Sequence, residues 1–211
     1  MDDRFYKKIY SHGEFYRSIV LALRSIKYIR LNRKNKLVSS RFQERIMLAV
    51  TEVNGCEACS YAHTKFALEE GMSTQEIDAI LNGDTGNIPP DELIAIFFAQ
   101  HYTDNRGSSS PEAWHRLVSE YGRDRALVIL AFIRMMNMAN IYGMAISAIR
   151  DRFKGKSSGK TSLLYELSII LLILIYFPLA MLNALFDKLR KKSIYPSSPK
   201  TADVRDPDFH E

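Results

Sequence analysis

Cysteine is scarce in this 211-residue chain, with Cys56 and Cys59 the only two. A pair so close together excludes a secreted scaffold stapled by several disulfides. An apolar leader is missing as well: "MDDRFYKKIYSHGEFY" starts acidic, so no secretory signal is expected. Strand-like alternation persists nowhere and no internal repeat is visible, which points to an all-α fold. No DNA- or RNA-binding motif accompanies the formal charge of +5. In the reducing compartment expected here, a C-x-x-C is catalytic or metal-binding more often than structural. The pair is open to three readings: a redox centre, half of a metal site, or two small apolar residues near a helix start.

Hydrophobic residues at 46% and charged ones at 25% allow a sizeable core. The positive charge is unevenly placed. Residues 1–36 hold ten Lys/Arg against Asp2, Asp3 and Glu14, while the region of about 42–124 is mildly acidic. More cations cluster at 150–160 and at 188–192. Basic flanks around a central domain fit a membrane surface better than a nucleic-acid groove.

Helix punctuation is frequent. "GEFYRSIVLALRSIKYIR" is amphipathic, with Phe15, Ile19, Leu23 and Ile26 on one face. Ser39 or Ser40 caps a second helix that Asn54-Gly55 stops. The cysteine helix ends at Gly71, and Ser73-x-x-Glu76 opens the next with a capping box. Pro89-Pro90 precede "DELIAIFFAQHYTD". Pro111 begins a helix ending near Gly122, and a long apolar helix closes the domain.

Residues 163–187 read differently. Within them 167–186 are twenty residues without a charge, about 30 Å as a helix. A membrane-associated helix is expected, with Pro178 kinking it. The alternative is a helix packed on the domain or on a second subunit. The expected organisation is a basic arm over 1–36, a catalytic domain over 37–153 and a linker over 154–162. The apolar helix then covers 163–187, and a basic, then disordered, tail covers 188–211. The domain is placed on the cytoplasmic face of the membrane, with a soluble cytoplasmic protein as the alternative.

At roughly 100° per residue, Cys56, Cys59 and His63 fall near 0°, 300° and 340° on a helix, one narrow face. A thiol in the first turn is acidified by free N–H groups, and a nearby imidazole can take its proton. On the preceding helix Glu44 falls at about 200°, between Met47 and Leu48. It lies away from a polar edge formed by Arg45 and Glu52. That position suits a general base; the plainer reading is a surface ion pair with Arg41 or Arg45.

The segment "LVSSRFQERIMLAVTEVNGCEACSYAHTKFALEEGMSTQEIDAIL" resembles the AhpD-like alkylhydroperoxidase branch of the carboxymuconolactone decarboxylase family. That branch carries a glutamate twelve residues before C-x-x-C-x-x-x-H, matched by Glu44, Cys56, Cys59 and His63. "MMNMANIYG" is similar to its closing helix. The resemblance implies an AhpD-like helical bundle, trimers or multiples of them, and thiol-dependent reduction of hydroperoxides without a bound cofactor. It assigns Cys59 as nucleophile, Cys56 as resolving thiol, and His63 with Glu44 as proton relay. It also suggests a thiol or lipoyl-type reductant. Where related enzymes place a relay histidine before the second cysteine, this chain has Ala58.

Other readings remain for the same residues. Zinc would use Cys56, Cys59 and His63, with Glu44 or a distant histidine as fourth ligand. A membrane-tethered redox sensor, or a thiol–disulfide exchange protein without peroxidase turnover, is the alternative in function. His101 and His115 are expected on the surface, and His12 and His210 lie in terminal segments. Trp114 is expected to pack on the core. Asn137 and Asn140, on the apolar closing helix, need partners if buried.

Overall fold

Seven α-helices and no strand account for the regular structure of residues 5–194, the part that the computed structural model describes. The all-α expectation holds; the tail beyond residue 194, with His210, lies outside the described residues.

Helix α1, His12–Asn35, begins one residue before the amphipathic pattern does. Ser11 and Glu14 close a capping box there, which the sequence reading had not marked. Lys36, in the left-handed conformation, ends the helix. The Asn32 side chain then holds the turn, accepting from the Val38 N–H and donating to the Val38 carbonyl at 2.8 and 3.0 Å. Helix α2, Ser40–Asn54, is capped by Ser39 and stopped by Gly55 at φ 70°, a conformation that favours glycine. Helix α3 is Glu57–Glu69 and α4 is Thr74–Leu81. Helix α5 is Leu93–Asp104. Helix α6, Pro111–Phe153, contains a backbone break at Gly122, so the two expected helices run on through a kink. Helix α7, Leu163–Leu189, carries Pro178 without breaking.

Helix α2 packs against α3, α4, α5 and α6, while α1 lies on α6 and α7 lies on both α1 and α6. One apolar cluster fills the α2–α4–α5–α6 side, with Phe42, Ile46, Ile96 and Ile129 buried. Trp114 packs against it, as expected. A second cluster joins α1, the C-terminal half of α6 and α7, through Phe15, Ile19, Ile141 and Ile169.

Arg45 departs from expectation. The helical wheel put it on a solvated edge, yet it is only 4% exposed. It donates to Glu76 at 2.7 Å and to both oxygens of Glu92 at 2.8 and 3.0 Å. Arg41 also donates to Glu76. Tertiary packing has overridden helix periodicity: α4 and the start of α5 close over that edge of α2. The expected capping box is half present, because Ser73 accepts from the Glu76 N–H while the Glu76 carboxylate is taken by the arginines.

Burial pushes the Glu76 carboxyl up, but hydrogen bonds from Arg45 and Arg41 outweigh it and hold its pKa below the ordinary 4.5. Glu92 goes the other way, since its burial outweighs Arg45. The lowered Glu76 pKa means its stabilisation is complete above the unfolded value and lost as pH falls through the folded one. Glu76→Gln is therefore expected to cost about 2 kcal/mol at pH 7. The gap from the parent chain should shrink below about pH 4.5. Urea unfolding at a series of pH values checks this.

Candidate redox site

Asn54 and Gly55 end α2, and the chain turns directly into α3. Cys56 is the N-cap of α3, with extended backbone at φ −86° and ψ 106°, so it stands just outside the helix on which the sequence reading had placed it. Its Sγ accepts the Cys59 N–H at 3.3 Å. The two sulfurs are bonded to each other, with Cα atoms 5.3 Å apart. The described state is thus the oxidised one. Cys56 is fully buried, whereas Cys59 keeps partial exposure. Cys59 Sγ also lies 3.8 Å from the Ala139 carbonyl oxygen.

His63 stands one turn beyond Cys59. Its Nδ1 is 2.7 Å from Glu44 Oε2, and both side chains are largely shielded, at 15% and 7% exposure. The alternative ion pair with Arg41 or Arg45 does not form, because both guanidiniums are committed to Glu76 and Arg45 to Glu92 as well. With Nδ1 donating to the carboxylate, Nε2 is left as the basic nitrogen. Among the described residues no hydrogen bond joins His63 to either sulfur in this oxidised form. The Phe66 ring stands edge-on to the imidazole, at 5.7 Å between centroids.

Beneath the sulfurs runs a buried polar seam. Tyr10 donates to Asn54 at 2.6 Å, Asn54 donates to Asn137, and Asn137 donates to Thr103. Asn140 donates to the Val50 carbonyl. Burial pushes the Tyr10 phenol well above its usual pKa, so it remains a donor across the neutral range. The two asparagines on α6 therefore knit that helix to α2 and α5, and their hydrogen-bonding groups are satisfied.

Gly143 of α6 lies directly against the sulfur pair. A Cβ at this position would stand 2.8 Å from both sulfurs, closer than atoms of this kind approach one another. Helix α6 reaches the pair only because that residue has no side chain. The Ser147 hydroxyl, one turn further on, accepts the Ala58 N–H at 3.2 Å. The quoted string "MMNMANIYG" ends on Gly143, but nothing in a sequence says that its missing side chain faces sulfur.

The other histidines are elsewhere. His12 meets Ser168 at 2.7 Å, His101 bonds Asn105 on the surface, and His115 is exposed. Among the described residues no group of three or more His, Cys, Asp or Glu has metal-holding geometry. With the sulfurs bonded to each other, neither is a thiolate ligand in this form.

The fold and the site together define an all-α protein with a C-x-x-C disulfide at a helix N-terminus. Residues 27–85 match the carboxymuconolactone decarboxylase family, a stretch running from the last turns of α1 past α4. The match includes Glu44, Cys56, Cys59 and His63, and bears out the resemblance over that segment. No curated protein and no solved structure matches the chain.

Gly143→Ala should penalise the disulfide more than the dithiol, whose separated sulfurs can move off the new methyl. Overpacking of about 1–3 kcal/mol corresponds to a reduction potential raised by roughly 20–60 mV. Equilibration against a glutathione series, read by thiol alkylation, measures it; an unchanged potential would mean α6 simply moves aside.

Proposed function

We propose that the protein is a thiol-dependent oxidoreductase that reduces hydroperoxides through the Cys56–Cys59 pair. One observation carries the reading: a sulfur pair at the start of α3, with the His63 imidazole one turn further along that helix and fixed by the buried Glu44 carboxylate of α2. In the reduced protein, His63 Nε2 takes the Cys59 proton, and the thiolate attacks the O–O bond. The alkoxide leaves and is protonated to the alcohol, and Cys59 becomes a sulfenic acid. Cys56 sulfur displaces its hydroxyl as water, which forms the disulfide. An external thiol or lipoyl-type dithiol then attacks Cys59, the more exposed sulfur, and Cys56 leaves as a thiolate favoured by the N–H it accepts at the helix start. A second thiol, or the dithiol's other sulfur, breaks the mixed disulfide and frees Cys59, the reductant leaving as its disulfide.

A second reading, thiol–disulfide exchange with a protein partner and no peroxidase turnover, is favoured by Ala58. This residue fills the place of the relay histidine, and its side chain packs into the second apolar cluster. It brings no proton carrier, so the Cys59 proton must pass to His63 directly or through water.

The location we propose is the cytoplasmic face of a membrane. By length and composition two helices could cross a bilayer, but the apolar window of α6 is 72% buried inside the protein and that of α7 only 11%. Helix α7 is the anchor in this reading and α6 is core.

Reduced, chelator-treated protein is expected to lose both thiols to an internal disulfide within seconds of one equivalent of tert-butyl hydroperoxide, as counted by mass spectrometry. Cys59→Ser should abolish the reaction, and Glu44→Gln should slow it about tenfold to a hundredfold. Thiols that survive the peroxide yet exchange readily with a small disulfide would select the second reading.

A further inference from the structure

Helix α7 has two faces. Glu166, Ile169, Ile173, Tyr176, Ala180 and Asp187 follow a three–four spacing and turn toward the domain. Leu164, Leu171, Leu174, Leu182, Leu185 and Leu189 are all more than half exposed on the other side. The inward face is fastened along its whole length. Arg152 pairs with Glu166 at 2.7 Å at the start, and Tyr165 donates to the Tyr10 carbonyl at 2.6 Å. Asn183 donates to the Tyr16 hydroxyl, and Arg24 pairs with Asp187 at 3.2 Å near the end.

Resting on the membrane location proposed above, we infer that α7 does not span the bilayer but lies flat in the surface of an anionic membrane, outward face down. A basic groove between α1 and the end of α7 receives a phospholipid headgroup.

Three observations carry this. First, a helix held at its start by His12 of α1 and Arg152 of α6, and at its end by Arg24 of α1, cannot cross the hydrocarbon without drawing in Arg17, Arg24, Lys27 and Arg30 of α1, and charges at that depth are strongly disfavoured. Second, both ends of α7 are basic, with Lys154, Lys156 and Lys160 before it, Lys188 in its last turn and Arg190 and Lys191 after it, all exposed. A spanning helix favours cations at one end; a flat one keeps both ends at the same charged surface. Third, the groove measures about 610 Å³. Leu23, Ile26 and Leu185 line it beside Lys27, Arg30 and Lys188, so cations stand next to apolar wall. That pairing matches a phosphate and the upper part of its acyl chains.

The test uses the full chain with vesicles of phosphatidylcholine, with and without phosphatidylglycerol. Binding is expected to be at least tenfold tighter on the anionic vesicles and to weaken with salt. Lys188→Glu combined with Lys191→Glu should weaken it roughly tenfold. Depth is read by quenching from lipids spin-labelled at different chain positions, using Leu164→Trp, Leu174→Trp or Leu185→Trp one at a time over the Trp114 baseline. Equal, shallow depth at the three positions supports flat docking. A deep Leu174→Trp between shallow neighbours overturns it in favour of a span and leaves the membrane location standing. No binding to either vesicle overturns both, and a dimer in sedimentation would then assign the apolar face to a second copy. None of these readings depends on peroxide chemistry, so they succeed or fail apart from the redox proposal.

Discussion

Burial of the Arg45 guanidinium fixes the rotation of α2, and much of the site follows from it. A charge taken out of water is tolerated only when paired and hydrogen-bonded, and Glu76 and Glu92 satisfy three of its contacts. That arrangement can exist only if α4 and the entry to α5 close on one side of α2. Glu44 is the preceding residue, about 100° away around the helix, so it is turned toward α3 and His63. The same clamp occupies the arginines that would otherwise compete for it. A buried ion pair and a carboxylate–imidazole hydrogen bond are thus two consequences of a single helix orientation.

The sulfur pair is held by opposed demands. The N-terminus of α3 offers the Cys59 N–H, which favours negative charge on Cys56, while the surrounding side chains are apolar and disfavour it. A polar seam of Tyr10, Asn54 and Asn137 runs close by without supplying a charge. The disulfide, which is neutral, suits such surroundings.

Helix content and the C-x-x-C-x-x-x-H motif were legible because they rest on local rules. Ser39, Gly55 and Pro111 act within a few residues of themselves, and the alignment of Cys59 with His63 is one turn of helix. Features set by distant partners were not legible. The wheel placed Arg45 by its own helix and missed the two helices that cover it. Cys56 was counted inside α3, although capping moved it out by one residue. Gly143 carries no chemistry of its own, and its role is a contact across 84 positions of sequence with Cys59. For α7 the sequence showed length and lack of charge but not which face was taken, since that depends on α1 and α6.

Helix α7 has also hidden its two acidic residues. Glu166 and Asp187 point inward to arginines, and that leaves the outward face without a charge over most of its length. A contiguous apolar strip of this size is rarely left bare by monomeric proteins in water. Being folded and being well solvated are consequently separate conditions for this chain. A lone monomer in buffer can be fully native and still carry a penalty on this strip, set by solvent contact and not by any defect of packing.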